Sequence, residues 1–218
     1  MLSDRDDPAR RRALMEELCR QRWQPLYFYA RRRGLPADQA EDAVQGLLVE
    51  LIERDFLLRL DPERGRLRAY LKRALAHHLE NRREHAAAQK RGGGQHPVDF
   101  ASAEAELQAT AADPELAFNR EWALGVFEAA FVALEAEYAS GARRGSMAVL
   151  RQALGFEAAP SYPELASAHG MSVAELKSFV FRGRKRFREL VLERVADTVA
   201  TPTEADAELS ELCAALRA

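Results

Sequence analysis

No stretch of this chain alternates apolar and polar residues with a period of two. Its apolar residues recur at three- and four-residue steps, against a background of Ala, Leu, Glu and Arg. Successive side chains on a strand point to opposite faces, whereas helix positions three and four apart share one. This spacing therefore restricts the chain to an all-α fold. The background residues are helix formers of good propensity, so local preference and pattern agree.

The first helical region is expected from Pro8 to Arg33, with Leu14, Met15, Leu18, Leu26 and Tyr27 as its stripe, a kink or break at Pro25, and Gly34-Leu35-Pro36 as its end. A second helix, about Ala37 to Arg54, has Ala40, Ala43, Val44, Leu47, Leu48, Leu51 and Ile52 as its inner face. A loop from Asp55 to Gly65 leads to a third helix, about Leu67 to Ala88. Gly92-Gly93-Gly94 then opens a stretch, to Asn119, without a single Lys or Arg. Asp113-Pro114 combines an N-cap residue with a proline at the first helical position, so a new helix starts there.

Charge is segregated along the chain. Arg64 to Arg91 carries nine basic residues against Glu80 and Glu84, and Lys177 to Arg194 carries seven against Glu189 and Glu193. Between them, His96 to Ser140 carries nine acids against Arg120 alone. Two basic segments separated by an acidic one imply two surfaces that face polyanions. The second lies in a telling context. Ser161-Tyr162-Pro163-Glu164 and Ser172-Val173-Ala174-Glu175 are both Ser-x-x-Glu capping boxes, 11 residues apart and separated by Gly170. Two helices so placed around a glycine turn read as a helix-turn-helix, with the basic run Arg182 to Arg188 on its second helix. Leu165, Met171 and Leu176 are expected to form the small core between them.

Ala40-Glu41-Asp42-Ala43-Val44-Gln45 resembles the core of sigma region 2.2, and Trp23-x-Pro-Leu-Tyr-x-Tyr-Ala-Arg, upstream of it, resembles region 2.1. Ser161-Tyr-Pro-Glu-Leu-Ala, Gly170-Met-Ser, Leu176-Lys-Ser and Arg184-Lys-Arg, in that order, resemble region 4.2. In order and spacing the set resembles an extracytoplasmic-function (group IV, sigma-70 family) RNA polymerase sigma factor, over about Trp23 to Val195. The fold expected is all-α: two helical domains joined by a flexible linker, the C-terminal one containing a helix-turn-helix. Residues 1–91 correspond to the region 2 domain, 92–112 to a flexible acidic linker, 113–197 to the region 4 domain and 198–218 to a C-terminal helical tail.

The resemblance implies a protein that binds core RNA polymerase and directs transcription from promoters with -10 and -35 elements. Glu41, Asp42 and Gln45, which form one polar patch on a helix, would meet the polymerase clamp. Gly46 follows where the family often has an acid. Phe56, Arg66, Arg68, Tyr70, Lys72, Arg73, Arg82 and Arg83 would meet the -10 element; on the residues alone, Phe56 and Tyr70 are equally readable as core. Ser172, Lys177, Ser178, Phe181, Arg182, Arg184 and Lys185 would meet the -35 element. Phe179 and Phe181 stand where relatives often carry Arg and His, so one is open to packing and the other to a thymine methyl or a partner. Further partners allowed by this reading are an anti-sigma factor or other regulator. The alternative is a stand-alone helix-turn-helix regulator that binds duplex DNA without polymerase.

Other classes find little support. No GK[ST] follows the triple glycine, and no HExxH or GxSxG occurs, so no enzyme and no cofactor is expected. His77, His78, Glu80 and His85 lack the spacing of a ligand set, so no metal is expected either. Trp122, Phe127 and Phe131 read as core. Cys19 and Cys213 cannot build a disulfide framework, no apolar run reaches membrane-spanning length, and the N-terminus lacks a signal-peptide core. The expected compartment is the cytoplasm. The tail begins with Thr201-Pro202-Thr203-Glu204, a further cap, and carries a narrow stripe of Leu209, Leu212, Cys213 and Leu216. Its expected seat is the region 4 domain near Trp122 or Phe131. Its acids also suit a regulatory partner or the chain's own recognition helix.

Overall fold

Gly34, at φ +92°, sits in the left-handed region that costs glycine nothing, and there the first described helix, α1 (residues 22–32), ends. The Gly34 amide donates to the Arg31 carbonyl and Leu35 to that of Ala30, so the last turn keeps its acceptors satisfied. The computed structural model describes residues 22–53, 66–92, 113–140, 146–154 and 161–218. Among these residues the protein is all-helical, with no strand. After α1 come α2 (Ala37–Glu53), α3 (Leu67–Gly92), α4 (Pro114–Ala139), α5 (Ser146–Ala153), α6 (Tyr162–Ala168), α7 (Val173–Ala196) and α8 (Pro202–Ala215). The helix expected before residue 22, the loop bearing Phe56, and the linker beyond Gly92 lie outside the described residues. No break occurs at Pro25, through which α1 continues.

Contacts group the chain into two units: Met1–Gly125 with Thr198–Ala218, and Val126–Asp197. This division differs from the expected one at the start of the C-terminal domain, at Val126 and not residue 113, and agrees with it at the end, Asp197. Asp113 does start a helix, its side chain accepting from the Glu115 amide at 3.0 Å, but it does not start a unit. The first half of α4 buries Phe118 and Trp122 in the first unit, where Phe118 meets Tyr29 edge-on at 6.0 Å. The Arg22 guanidinium stacks over the Trp122 ring at 4.0 Å. On α3, Leu67, Leu71, Leu75 and Leu79 recur every fourth residue and are all buried; α2 packs against this helix through Ala40, Ala43, Val44, Leu47, Leu48 and Leu51. Each such leucine contributes roughly 1.5–3 kcal/mol by leaving water. Ile52, expected on the inner face, is 49% exposed. One residue on from Leu51 is a rotation of about 100°, which carries Ile52 off the buried stripe.

In the second unit, Gly170 at φ +64° closes α6: the Met171 amide donates to the Ala166 carbonyl at 2.9 Å. Both capping boxes form. The Glu164 carboxylate accepts from the Ser161 amide, and Glu175 from that of Ser172, each at 2.8 Å. These bonds favour the ionised acid and hold both carboxyls below their ordinary range. α7 packs on α6 and on α5. It buries Leu176, Phe179, Val180 and Gly183, and its Phe187 ring meets Phe127 and Phe131 edge-on. The basic run Arg182 to Arg188 contains one glycine, Gly183. It lies buried against α5, where a Cβ would overlap the Leu150 side chain.

Gly183→Ala is therefore expected to destabilise. Elsewhere in a helix this exchange gains ~0.5–1 kcal/mol; here overpacking outweighs that, for a net loss of roughly 1–2 kcal/mol. Denaturant titration checks it, and a gain in stability would show that α5 and α7 are not so closely packed.

Candidate nucleic-acid and partner interface

Three surfaces collect the residues singled out in the sequence. The first is the outward face of α2. Glu41, Asp42 and Gln45 are exposed there, opposite the buried stripe. Val49 and Ile52, at 52% and 49% exposure, continue the same face at four- and three-residue steps beyond Gln45. Neither is expected on this face from sequence: Val49 stands unmarked in an apolar helix, and Ile52 reads as part of the inner stripe. Gly46 lies beside the patch, half-buried, and a Cβ there would stand 3.3 Å from His78 Nε2 on α3. The His78 Nδ1 lies 3.3 Å from a Glu50 carboxylate oxygen. The glycine thus makes room for the imidazole between α2 and α3.

The second surface is α3. Tyr70, Arg73, Arg82 and Arg83 are exposed, and Arg83 donates to the Arg33 carbonyl at 3.0 Å. Three other basic residues are engaged by acids of their own unit. Lys72 pairs with Glu115 of α4 at 2.7 Å. Arg66 pairs with Glu208 at 3.0 Å and also with Glu211, both on α8. Arg68 is buried; its guanidinium donates to both Glu208 oxygens, to Glu211 and to Asn119. Burial opposes its charge, yet the bonds to Glu208 and Glu211 outweigh this and hold its pKa above the ordinary arginine value. Arg68, expected at the -10 element, is thus an internal ion-pair residue in this arrangement.

The same contact corrects the seat of the tail. α8 is tied to α3 in the first unit, which also holds Trp122, one of the two residues expected at its seat; Phe131, the other, belongs to the second unit. The Leu67 amide donates to the Thr198 carbonyl at 3.0 Å just ahead of it. Its buried face is Ala205, Glu208, Leu212 and Ala215, with Leu209, Cys213 and Leu216 only half-buried. Hydrophobicity alone could not find this face, because its centre is a carboxylate only 1% exposed.

The third surface is α7. Lys177, Ser178, Phe181, Arg182, Arg184 and Lys185 are exposed. Phe179 is buried edge-on to Tyr138 at 6.0 Å, while Phe181 is 71% exposed, which resolves the pair. Ser172 is occupied at the N-cap, its hydroxyl accepting from the Glu175 amide and bonding the Glu175 carboxylate. Arg184 donates to the Ala153 carbonyl at the end of α5 at 2.9 Å. Arg182 bonds Ser178 one turn back, at 2.8 Å. Arg186 is gathered by Glu137, Glu189 and Glu193, so it faces acids of its own unit.

Among the described residues no helix is long and apolar enough to cross a membrane, and no group of three or more His, Cys, Asp or Glu side chains is arranged to hold a metal ion. No protein-family model, curated protein or solved structure matches the chain.

Proposed function

We propose that this chain is a promoter-specificity subunit of the extracytoplasmic-function sigma type, a cytoplasmic protein that performs no chemistry and lends DNA sequence recognition to core RNA polymerase. The observation that carries the reading is the face of α7. This helix, capped at its N-terminus by Ser172 and Glu175, presents Lys177, Arg182 and Lys185 to solvent around one exposed aromatic, Phe181. Cations of that kind meet phosphates in any sequence, whereas Phe181 and Ser178 have the chemistry to touch base edges, an apolar ring suiting a thymine methyl. The exposed strip on α2 supports the same reading. Its Glu41 and Asp42 suit a basic partner helix, and Val49 and Ile52 add apolar area beside them. On α3, Tyr70, Arg73, Arg82 and Arg83 are exposed for an opened strand.

Run-off transcription with core polymerase tests this. The native chain is expected to direct a discrete transcript. Asp42→Arg with Gln45→Ala is expected to abolish both that transcript and co-purification with polymerase, with helix content by circular dichroism unchanged. Promoter-specific duplex binding that needs no polymerase, with no transcript from the native chain, would mark a stand-alone regulator instead.

A further inference from the structure

α8 holds two arginines of the surface that the reading above assigns to DNA. We propose that α8 is an intramolecular stand-in for a polyanion: Glu208 and Glu211 occupy Arg66 and Arg68, so that the start of α3 engages nucleic acid only when α8 is displaced. The identity of that polyanion as promoter DNA rests on the sigma reading; the competition itself does not.

Four observations carry this. The segments are complementary in charge: Val195 to the C-terminus carries five acids against Arg217, and the α3 segment is strongly basic. Within α8 the acids are sorted by role. Glu204 is used locally, accepting from the Ala200 and Thr201 amides in the helix's own cap, whereas Glu208 and Glu211, three residues apart, both turn to α3. The contact is also graded. Arg68 and Glu208 are buried and form an anchor, but Glu211 is half-exposed and the Arg66 side chain is partly open to solvent, so phosphate can reach this outer pair. Finally, the 14-residue helix is marginal by itself in water and only five residues join it to α7. Being part of the same chain and unit keeps it at high effective concentration beside α3, which a ligand with several phosphates can overcome and a single anion cannot.

The test uses the full chain, Glu211→Gln, and Glu211→Gln combined with Arg66→Ala, each titrated with a labelled 30-base-pair duplex at several salt concentrations. Glu211→Gln is expected to raise affinity about threefold to tenfold at low salt and to steepen the salt dependence by about one phosphate contact. Adding Arg66→Ala is expected to return both to the native values. Removal of Thr201 to Ala218 is expected to have a larger effect in the same direction. Unchanged DNA affinity in Glu211→Gln overturns the proposal and leaves α8 a structural brace. An increase that Arg66→Ala does not reverse overturns it too, because the cation released for the polyanion is then not Arg66. Transcription by the same proteins is read separately: the expected binding changes without any transcript would sustain the competition and sink the sigma reading.

Discussion

Glu208→Ala is expected to lower the stability of the first unit by about 3 kcal/mol, or roughly 6–12 °C in melting temperature. The carboxylate is 1% exposed and both of its oxygens accept from Arg68, which is itself buried. Removing one member of such a pair leaves a desolvated charge. The figure lies at the low end for a broken buried pair because Glu211 and Asn119 still accept from the guanidinium. Glu211→Ala, whose carboxylate is half-exposed, should cost no more than ~1 kcal/mol. Replacing Arg68 and Glu208 together by Met and Leu is expected to be far milder than either single loss, since no charge is then stranded. Thermal melts of the four proteins decide the matter. Equal effects of Glu208→Ala and Glu211→Ala would show that the buried anchor does not exist.

The second large effect is expected at Trp122. Its side chain is fully buried between Phe118 and the Arg22 guanidinium, so Trp122→Ala removes a large ring from a site with little room to collapse. A loss of about 3–5 kcal/mol is expected. Where that loss appears is more informative than its size. Trp122 lies on the half of α4 that belongs with α1, α2, α3 and α8. Amide hydrogen exchange should therefore accelerate in those helices, while α6 and α7 keep their protection. Acceleration confined to α6 and α7 would restore the boundary expected at Asp113.

Much of this molecule was legible because its determinants are local. Period, caps and turn glycines act within one or two turns of the chain, and the bounds of α2, α4, α7 and α8 follow from them closely. The outward face of α2 was readable for the same reason, since Glu41, Asp42 and Gln45 are polar where their neighbours are apolar. Val49 and Ile52 escaped because an exposed apolar residue looks, in sequence, like a core one.

Non-local pairing escaped altogether. Arg66 and Arg68 read as contacts for a polyanion until Glu208, 140 positions away from Arg68, is brought against them by folding. Coulomb and desolvation terms depend on distance and burial, neither of which is written in composition. The seat of α8 was misjudged for a related reason. A stripe of leucines announces that a helix needs a surface but not which one, and here an internal ion pair makes the choice. Gly183 completes the contrast. Its small size is visible in the chain, but the Leu150 side chain that requires it belongs to another helix and is seen only once the two are packed.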